Sequence, residues 1–215
     1  MPVRVIFKPL FQHCMAPLPP EASKAMFESL GTIYPINAEL EADLREAAIF
    51  EAFSRFEWLL KPGEINKRLY YIHKGLMRFY YELVDEETLE TKEVNTQFRR
   101  EGDTAVSVES WYTQEPSYEY IQTLEYTEVF SIAFADLEAI YRKHVEFNFT
   151  GRVLTIKYLV DWVKQINGIR KLKVADRYEL FCKRDPILLQ RVPQKYLASY
   201  LDTTPETLAR IRGGY

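Results

Sequence analysis

The chain has 215 residues, 47% hydrophobic and 27% charged, with a formal net charge of −3. That length suits two modest domains with a core each, and that composition suits a globular chain rather than a disordered one. No apolar run reaches the roughly 18 residues that cross a bilayer, and Met1 to Phe11 is too short and too interrupted by Pro2, Lys8 and Pro9 for a secretory leader, so a cytoplasmic protein without a membrane partner is expected.

Two distant cysteines, Cys14 and Cys182, and three scattered histidines, His13, His73 and His144, form no ligand set at zinc or iron–sulfur spacing, so no metal and no cofactor are expected. Charge is unevenly shared. From Gly168 onward ten Lys and Arg stand against five Asp and Glu, a net of +5 that leaves −8 for everything before it. A basic end on an acidic body suits a polyanion such as DNA, whose binding is driven by counterion release; a solvated basic face is the alternative.

In chain order, residues 1–20 hold Pro2, Pro9, Pro17, Pro19 and Pro20 and read as an irregular arm. A body over 21–148 follows. Helical patterning begins near Glu21, and Asn37 is placed to cap a second helix read through "AELEADLREAAIFEAF". From Leu59 to Ile132 the sequence alternates and is rich in Tyr, Phe, Val and Thr, with turn signals at Pro62-Gly63, Lys74-Gly75, Asp85-Glu86-Glu87 and Gly102-Asp103. Short strands at this spacing predict an antiparallel barrel or roll, because a parallel sheet would need long crossovers. "ADLEAIYRK" then predicts a short helix.

A long helix is predicted over 149–167. Its Val153, Ile156, Val160 and Val163 recur at helical spacing with Leu159, Trp162 and Ile166 beside them, a stripe too broad for one covering surface. A homodimer interface through Val153, Ile156, Leu159, Val160 and Val163 is expected, with burial between two domains of one chain as the alternative. Asn167-Gly168 is expected to end the helix and open a last domain over 168–215. There "KVADRYELFCKRDP" and "QKYLASYL" each predict a helix, and a third starts at Pro205.

The last two form a helix–turn–helix pattern. Ala198 gives the small residue that a close crossing needs, while Leu208 and Ile211 give the second helix a buried side. Thr204 is placed to cap, Pro205 fits the first helical position, and Glu206 complements the positive helix end; Thr203 is the alternative cap. Pro205, Glu206, Thr207 and Arg210 then share an exposed face. Arg210 suits guanine, Glu206 the cytosine amine, and Thr207 a base or a phosphate. Arg212, Lys195 and Arg191 complete the candidate DNA-binding set. The bland alternative leaves Glu206 serving the helix dipole and Arg210 merely solvated. No nucleophile–base pair, phosphate loop or metal spacing emerges, so no catalytic residue is assigned and no enzyme is expected.

With "LLKPGEINKRLYYIHKGLMRFYY", "EGD" at 101–103, the long helix after "ADLEAIYRK" and "ETLARIR" at 206–212, the sequence resembles the Crp/Fnr family of bacterial regulators from about Glu21 to Arg212. The resemblance implies an α+β fold: an N-terminal antiparallel β-roll of the cyclic-nucleotide-binding, jelly-roll kind, a long dimerisation helix and a C-terminal helix-turn-helix domain. It places the recognition-helix Glu and Arg on Glu206 and Arg210. It also implies DNA, a second copy of the chain, RNA polymerase and a small-molecule effector as partners.

The departures are informative. The family's Gly-Glu and Arg-Ser pairs for a cyclic nucleotide are missing from "GDTAVSVESWYTQEPSYEYIQ", where Ser117 and Tyr118 stand near Glu115 and Glu119. Carboxylates without a cation repel a phosphate, so cyclic AMP is not expected. Ser107, Glu109, Trp111, Ser117, Tyr118 and Tyr120 remain as the candidate effector pocket, with core filling as the alternative for the aromatics. Only "GGY" follows Arg212, implying a short or absent wing, and Asp202 stands at a turn position commonly held by Gly. The expected function is a sequence-specific DNA-binding transcription regulator; the alternative is a sensor or protein-interaction module of the same fold without specific DNA binding.

Overall fold

The computed structural model describes residues 20–84 and 89–213. The expected arm, with His13 and Cys14, and the turn at Asp85-Glu86-Glu87 lie outside them. Two helices lead: α1 (Pro20–Gly31) and α2 (Ala38–Ala47), the latter capped by Asn37, whose side chain accepts from the Leu40 amide at 2.8 Å. Helical patterning predicts α2 running on to Phe53. Instead Ala48–Phe53 is strand β1, paired antiparallel with the last strand of the roll. Long-range pairing overrides local propensity there.

The remaining strands are β2 (Trp58–Leu60), β3 (Arg68–Lys74), β4 (Leu76–Val84), β5 (Thr91–Arg100), β6 (Thr104–Ala105), β7 (Tyr120–Thr123) and β8 (Thr127–Ala133), with the short helix α3 (Val108–Thr113) between β6 and β7. They form two four-stranded antiparallel sheets, in the orders β1-β8-β3-β6 and β2-β7-β4-β5. The turn glycines Gly63, Gly75 and Gly102 have φ of 85°, 112° and 83°. At Gly75 a side chain would also meet Thr127, 2.4 Å from the Cβ position, so only glycine fits the β3–β4 hairpin.

Alternation divides each sheet between two cores. Tyr70, Ile72, Met77, Phe79, Ile121 and Val129 point inward and close the roll. From the β1-β8-β3-β6 sheet, Leu69, Tyr71, Phe130 and Ile132 point outward against α1, α2 and α4 (Phe134–Lys143). His144, just after α4, bonds Asp43 of α2 at 2.6 Å, a structural role. The other sheet is covered on its outer face too. There Leu76, Phe98 and Leu124 pack with Phe181, Leu188, Val192, Tyr196, Tyr200 and Leu208 from the C-terminal helices.

Helix α5 (Phe147–Lys171) joins the two ends of the molecule. Sequence reasoning ends it at Asn167-Gly168, but it runs four residues past Asn167 and stops where Leu172 becomes extended. After it come α6 (Val174–Arg184), α7 (Leu188–Arg191), α8 (Gln194–Tyr200) and α9 (Pro205–Arg212). No helix among the described residues is long and apolar enough to cross a membrane.

Gly168 is a helical residue, and a Cβ built on it would touch nothing within 4 Å. Gly168→Ala should therefore stabilise the protein by about 0.5–1 kcal/mol, read as a raised thermal midpoint. A lowered midpoint would mean that the helix breaks at this residue.

Candidate nucleic-acid interface

Sequence chemistry decides how the last two helices meet. Tyr196, Leu197, Ala198 and Tyr200 of α8 are buried, with Ala198 fully so. The chain turns over Leu201–Thr204. Asp202 takes φ of 51°, the left-handed conformation that its short polar side chain tolerates, and the Thr203 amide bonds the Ala198 carbonyl at 3.0 Å. Thr204 is extended and its hydroxyl accepts from the Thr207 amide at 3.3 Å, which makes it the cap and leaves Pro205 at the start of α9.

Along α9 only Leu208 is fully buried. Pro205, Glu206, Arg210 and Arg212 are exposed and Thr207 is half-buried. The Arg210 guanidinium donates to the Thr207 hydroxyl at 3.3 Å. Backbone amide contact at the helix start, with the Thr204 hydroxyl, holds the Glu206 carboxyl below the usual carboxylate range. Lys195 is exposed, its ammonium 4.6 Å from the centre of the Tyr196 ring. Six residues of the expected DNA-binding set thus share one end of the molecule.

Arg191 does not join them. It turns back to the roll, donating to Glu101 at 2.8 Å and to Glu125, so it is a structural tie rather than a free phosphate anchor. These charge-assisted bonds hold its pKa above the usual arginine range. Burial alone would raise the Glu101 pKa, but the guanidinium and the Gly75 amide, 2.8 Å away, pull it down to about 2.

Sequence reasoning missed a second tie. Arg78 of β4 is 2% exposed, stacked between Tyr80 of the roll and Tyr196 of α8 at 3.8 and 3.9 Å. Its guanidinium bonds Glu93 at 2.5 Å and Gln122 at 2.8 Å. Beside it, the Ser199 hydroxyl of α8 donates to the Glu93 carbonyl and accepts from the Asn95 amide, satisfying the edge of β5. The one sequence signal was an Arg inside the apolar run "LMRFYY".

On α5, Ile156, Leu159, Val160, Trp162 and Val163 are 43–53% exposed, and Val153 is half-buried. Burial between two parts of one chain is therefore not what this stripe does. The opposite side of α5 holds the roll, through Tyr158 with Gln97 at 2.5 Å and Gln165 with the Thr96 carbonyl at 2.7 Å.

Of the residues expected to line an effector pocket, the structure brings Ser107 and Ser117 together and turns Trp111 away from them. Ser107 and Ser117 are buried and bond each other at 3.2 Å, and Ser107 also takes part in a network with Asn66 and Ser110. Glu119 is buried beside them, and burial raises its pKa. Glu109 is exposed, Tyr118 is 57% exposed, and Tyr120 stacks on Tyr80 at 4.5 Å. Trp111 alone turns into the other core, edge-on to Phe134. The cassette is closed on itself by its own serines.

Sequence comparison finds no matching family model and no matching curated protein. Solved structures do match. FixK2 from Bradyrhizobium japonicum aligns with a TM-score of 0.66 at 15% identity, over 78% of this chain and 83% of that one. The c-di-GMP-responsive global regulator CLP of Xanthomonas campestris aligns with a TM-score of 0.64 at 15% identity, over 83% and 91%. A CooA mutant from Carboxydothermus hydrogenoformans aligns with a TM-score of 0.59 at 16% identity, over 87% and 83%. These are regulators of the Crp/Fnr type, and the chain has their fold.

Loss of Arg191 should weaken the tie between the roll and the last helices. Arg191→Ala is expected to cost about 1–2 kcal/mol near neutral pH, measured by urea unfolding. The depressed Glu101 pKa contributes stability above the unfolded value, and that stability is lost as pH falls from about 4.5 towards about 2. The stability gap between the wild type and Glu101→Gln should therefore narrow from pH 6 to pH 2.5; a constant gap would remove the ion pair as its source.

Proposed function

We propose that this chain, built on the fold of Crp/Fnr transcription regulators, is a homodimeric, non-enzymatic cytoplasmic regulator that reads DNA with α9. The observation that carries this reading is the sidedness of that helix. One leucine anchors it, while Glu206, Arg210 and Arg212 project from a helix that begins abruptly at Pro205. A helix seated by one face on α8 can lay its start in a major groove, where Arg210 matches guanine and Glu206 the cytosine amine. Lys195 and Arg212 would neutralise phosphates beside it.

The exposed stripe of α5 supports the dimer. Apolar side chains of that size and continuity, left open along a helix, are the usual mark of a protein interface. A two-fold pair of α9 helices would meet successive major grooves about 34 Å apart on a near-palindromic site. The closed serine cassette, with Glu119 buried and Ser117 and Tyr118 standing where the family carries its phosphate-binding pair, argues against a cyclic nucleotide at that place. A second reading keeps the fold without specific DNA binding; it is favoured by Glu206 serving its own helix start and by Arg210 bonding Thr207.

Selection from a random DNA library separates the two. A reader enriches one near-palindromic sequence, and a sensor without reading function enriches none. On the selected site Arg210→Ala should weaken binding by about 5- to 150-fold, equivalent to about 1–3 kcal/mol. Lys195→Ala should lower the slope of affinity against salt by about one. Leu159→Asp should leave a monomer in sedimentation with little site affinity. Unchanged binding by Arg210→Ala would remove Arg210 from the reading role.

A further inference from the structure

The core outside the β1-β8-β3-β6 sheet is not filled. Between that sheet, α1, α2, α3, α4 and the first turns of α5 lies a cavity of about 170 Å³, walled by Leu30, Leu69, Trp111, Phe130 and Leu154 among others. Native interiors are packed to crystal-like density, and an enclosed apolar void of about 150 Å³ admits benzene; this space is of that size, largely apolar and open on one side. Val108, Trp111 and Tyr112 of α3 wall it but the bonded pair Ser107 and Ser117 does not, and the inward side chains of the roll form their own cluster apart from it.

Three details make the space specific. First, no Lys or Arg among the described residues lines it while Glu138 does, which disfavours an anionic occupant, because a desolvated anion needs a cation or several donors. Second, Tyr141 lies at its wall, with its ring half-buried and stacked on Phe147 at 5.4 Å. Burial pushes the phenol up to about 12, so it is a neutral donor and acceptor at physiological pH. Third, Gly151 of α5 lies against that hydroxyl: a Cβ there would sit 2.4 Å from the Tyr141 oxygen. Glycine is a poor helix former, and its use inside α5 leaves room for this phenol. At the solvent side, Tyr112 of α3 and Thr155 of α5, both exposed, bond each other at 3.0 Å.

We propose that this cavity binds a small neutral molecule, the size of a substituted benzene, with its apolar body among Leu69, Trp111 and Phe130 and one polar group on the Tyr141 hydroxyl. Gly151, Leu154, Thr155 and Tyr158 form the α5 side of the site. The exposed Ile156, Leu159, Val160 and Val163 lie on another side of the same helix, so an occupant bears on the rod that carries them. Binding itself requires neither a dimer nor DNA.

The test uses the full chain without DNA, with phenol, toluene and benzoate as probes in calorimetry and ligand-observed NMR. Phenol and toluene are expected to bind saturably, one per protomer, and benzoate is not. Tyr141→Phe should weaken phenol about three- to tenfold, the worth of one hydrogen bond, and leave toluene unchanged. Leu154→Phe, which fills the space, should abolish both; where it fails to fold, the Tyr141→Phe comparison decides alone. Absence of saturable binding by either neutral probe, equal binding of benzoate, or an unchanged phenol affinity in Tyr141→Phe overturns the proposal. None of these results bears on whether α9 reads DNA.

Discussion

A guanidinium with 2% of its surface exposed lies where the sheet meets the last helices, and the rest of the arrangement follows from its burial. Taking a cation out of water costs several kcal/mol unless its donors are used and its charge is answered. Glu93 and Gln122 do this from the roll, and Tyr80 offers one ring face. The other face of Arg78 is covered by Tyr196, from a helix more than a hundred residues later in the chain. Lifting α8 away would return one side of the charge to water and uncover Leu76, Phe98 and Leu124 together. Polar and apolar terms therefore favour the same docked position.

Other ties repeat this logic around the contact. Ser199 occupies the open edge of β5, which would otherwise present unpaired backbone groups. Arg100 of β5 meets Asp185 after α6 at 2.8 Å. Arg191 meets Glu101, which in turn holds the amide of Gly75 in the β3–β4 hairpin. That hairpin tolerates no side chain at Gly75, so the carboxylate is aimed by a turn with little freedom to move. The tie to the last helices is therefore positioned by the roll itself.

Much of this was legible in the sequence because it is local. Alternation in "RLYYIHK" and "TEVFSIA" marks strands with two apolar faces, Gly63, Gly75 and Gly102 mark turns, and Thr204-Pro205 marks a helix start through cap and ring chemistry alone. Asp202 fits its left-handed turn for an equally local reason. What was not legible depends on partners far along the chain. "AIFEAF" reads as helix until β8 is beside it. Arg191 reads as a DNA-binding cation until Glu101 and Glu125 are placed around it. Nothing in the sequence around Tyr196 signals that a buried charge needs its ring. Tyr141 and Gly151 are unremarkable in separate helices, and only packing brings the phenol against the missing Cβ.

Helix α5 has its own bonds to β5 at both Tyr158 and Gln165, and it crosses Gly168 without a break. Sheet, long helix and terminal helices are thus tied together along a single strand, β5. Among the described residues these bonds resist bending between the three parts. In the proposed pair, motion would concentrate at the joint between the two copies, and each would pivot as a body, carrying its outermost helix through an arc that grows with distance from the joint.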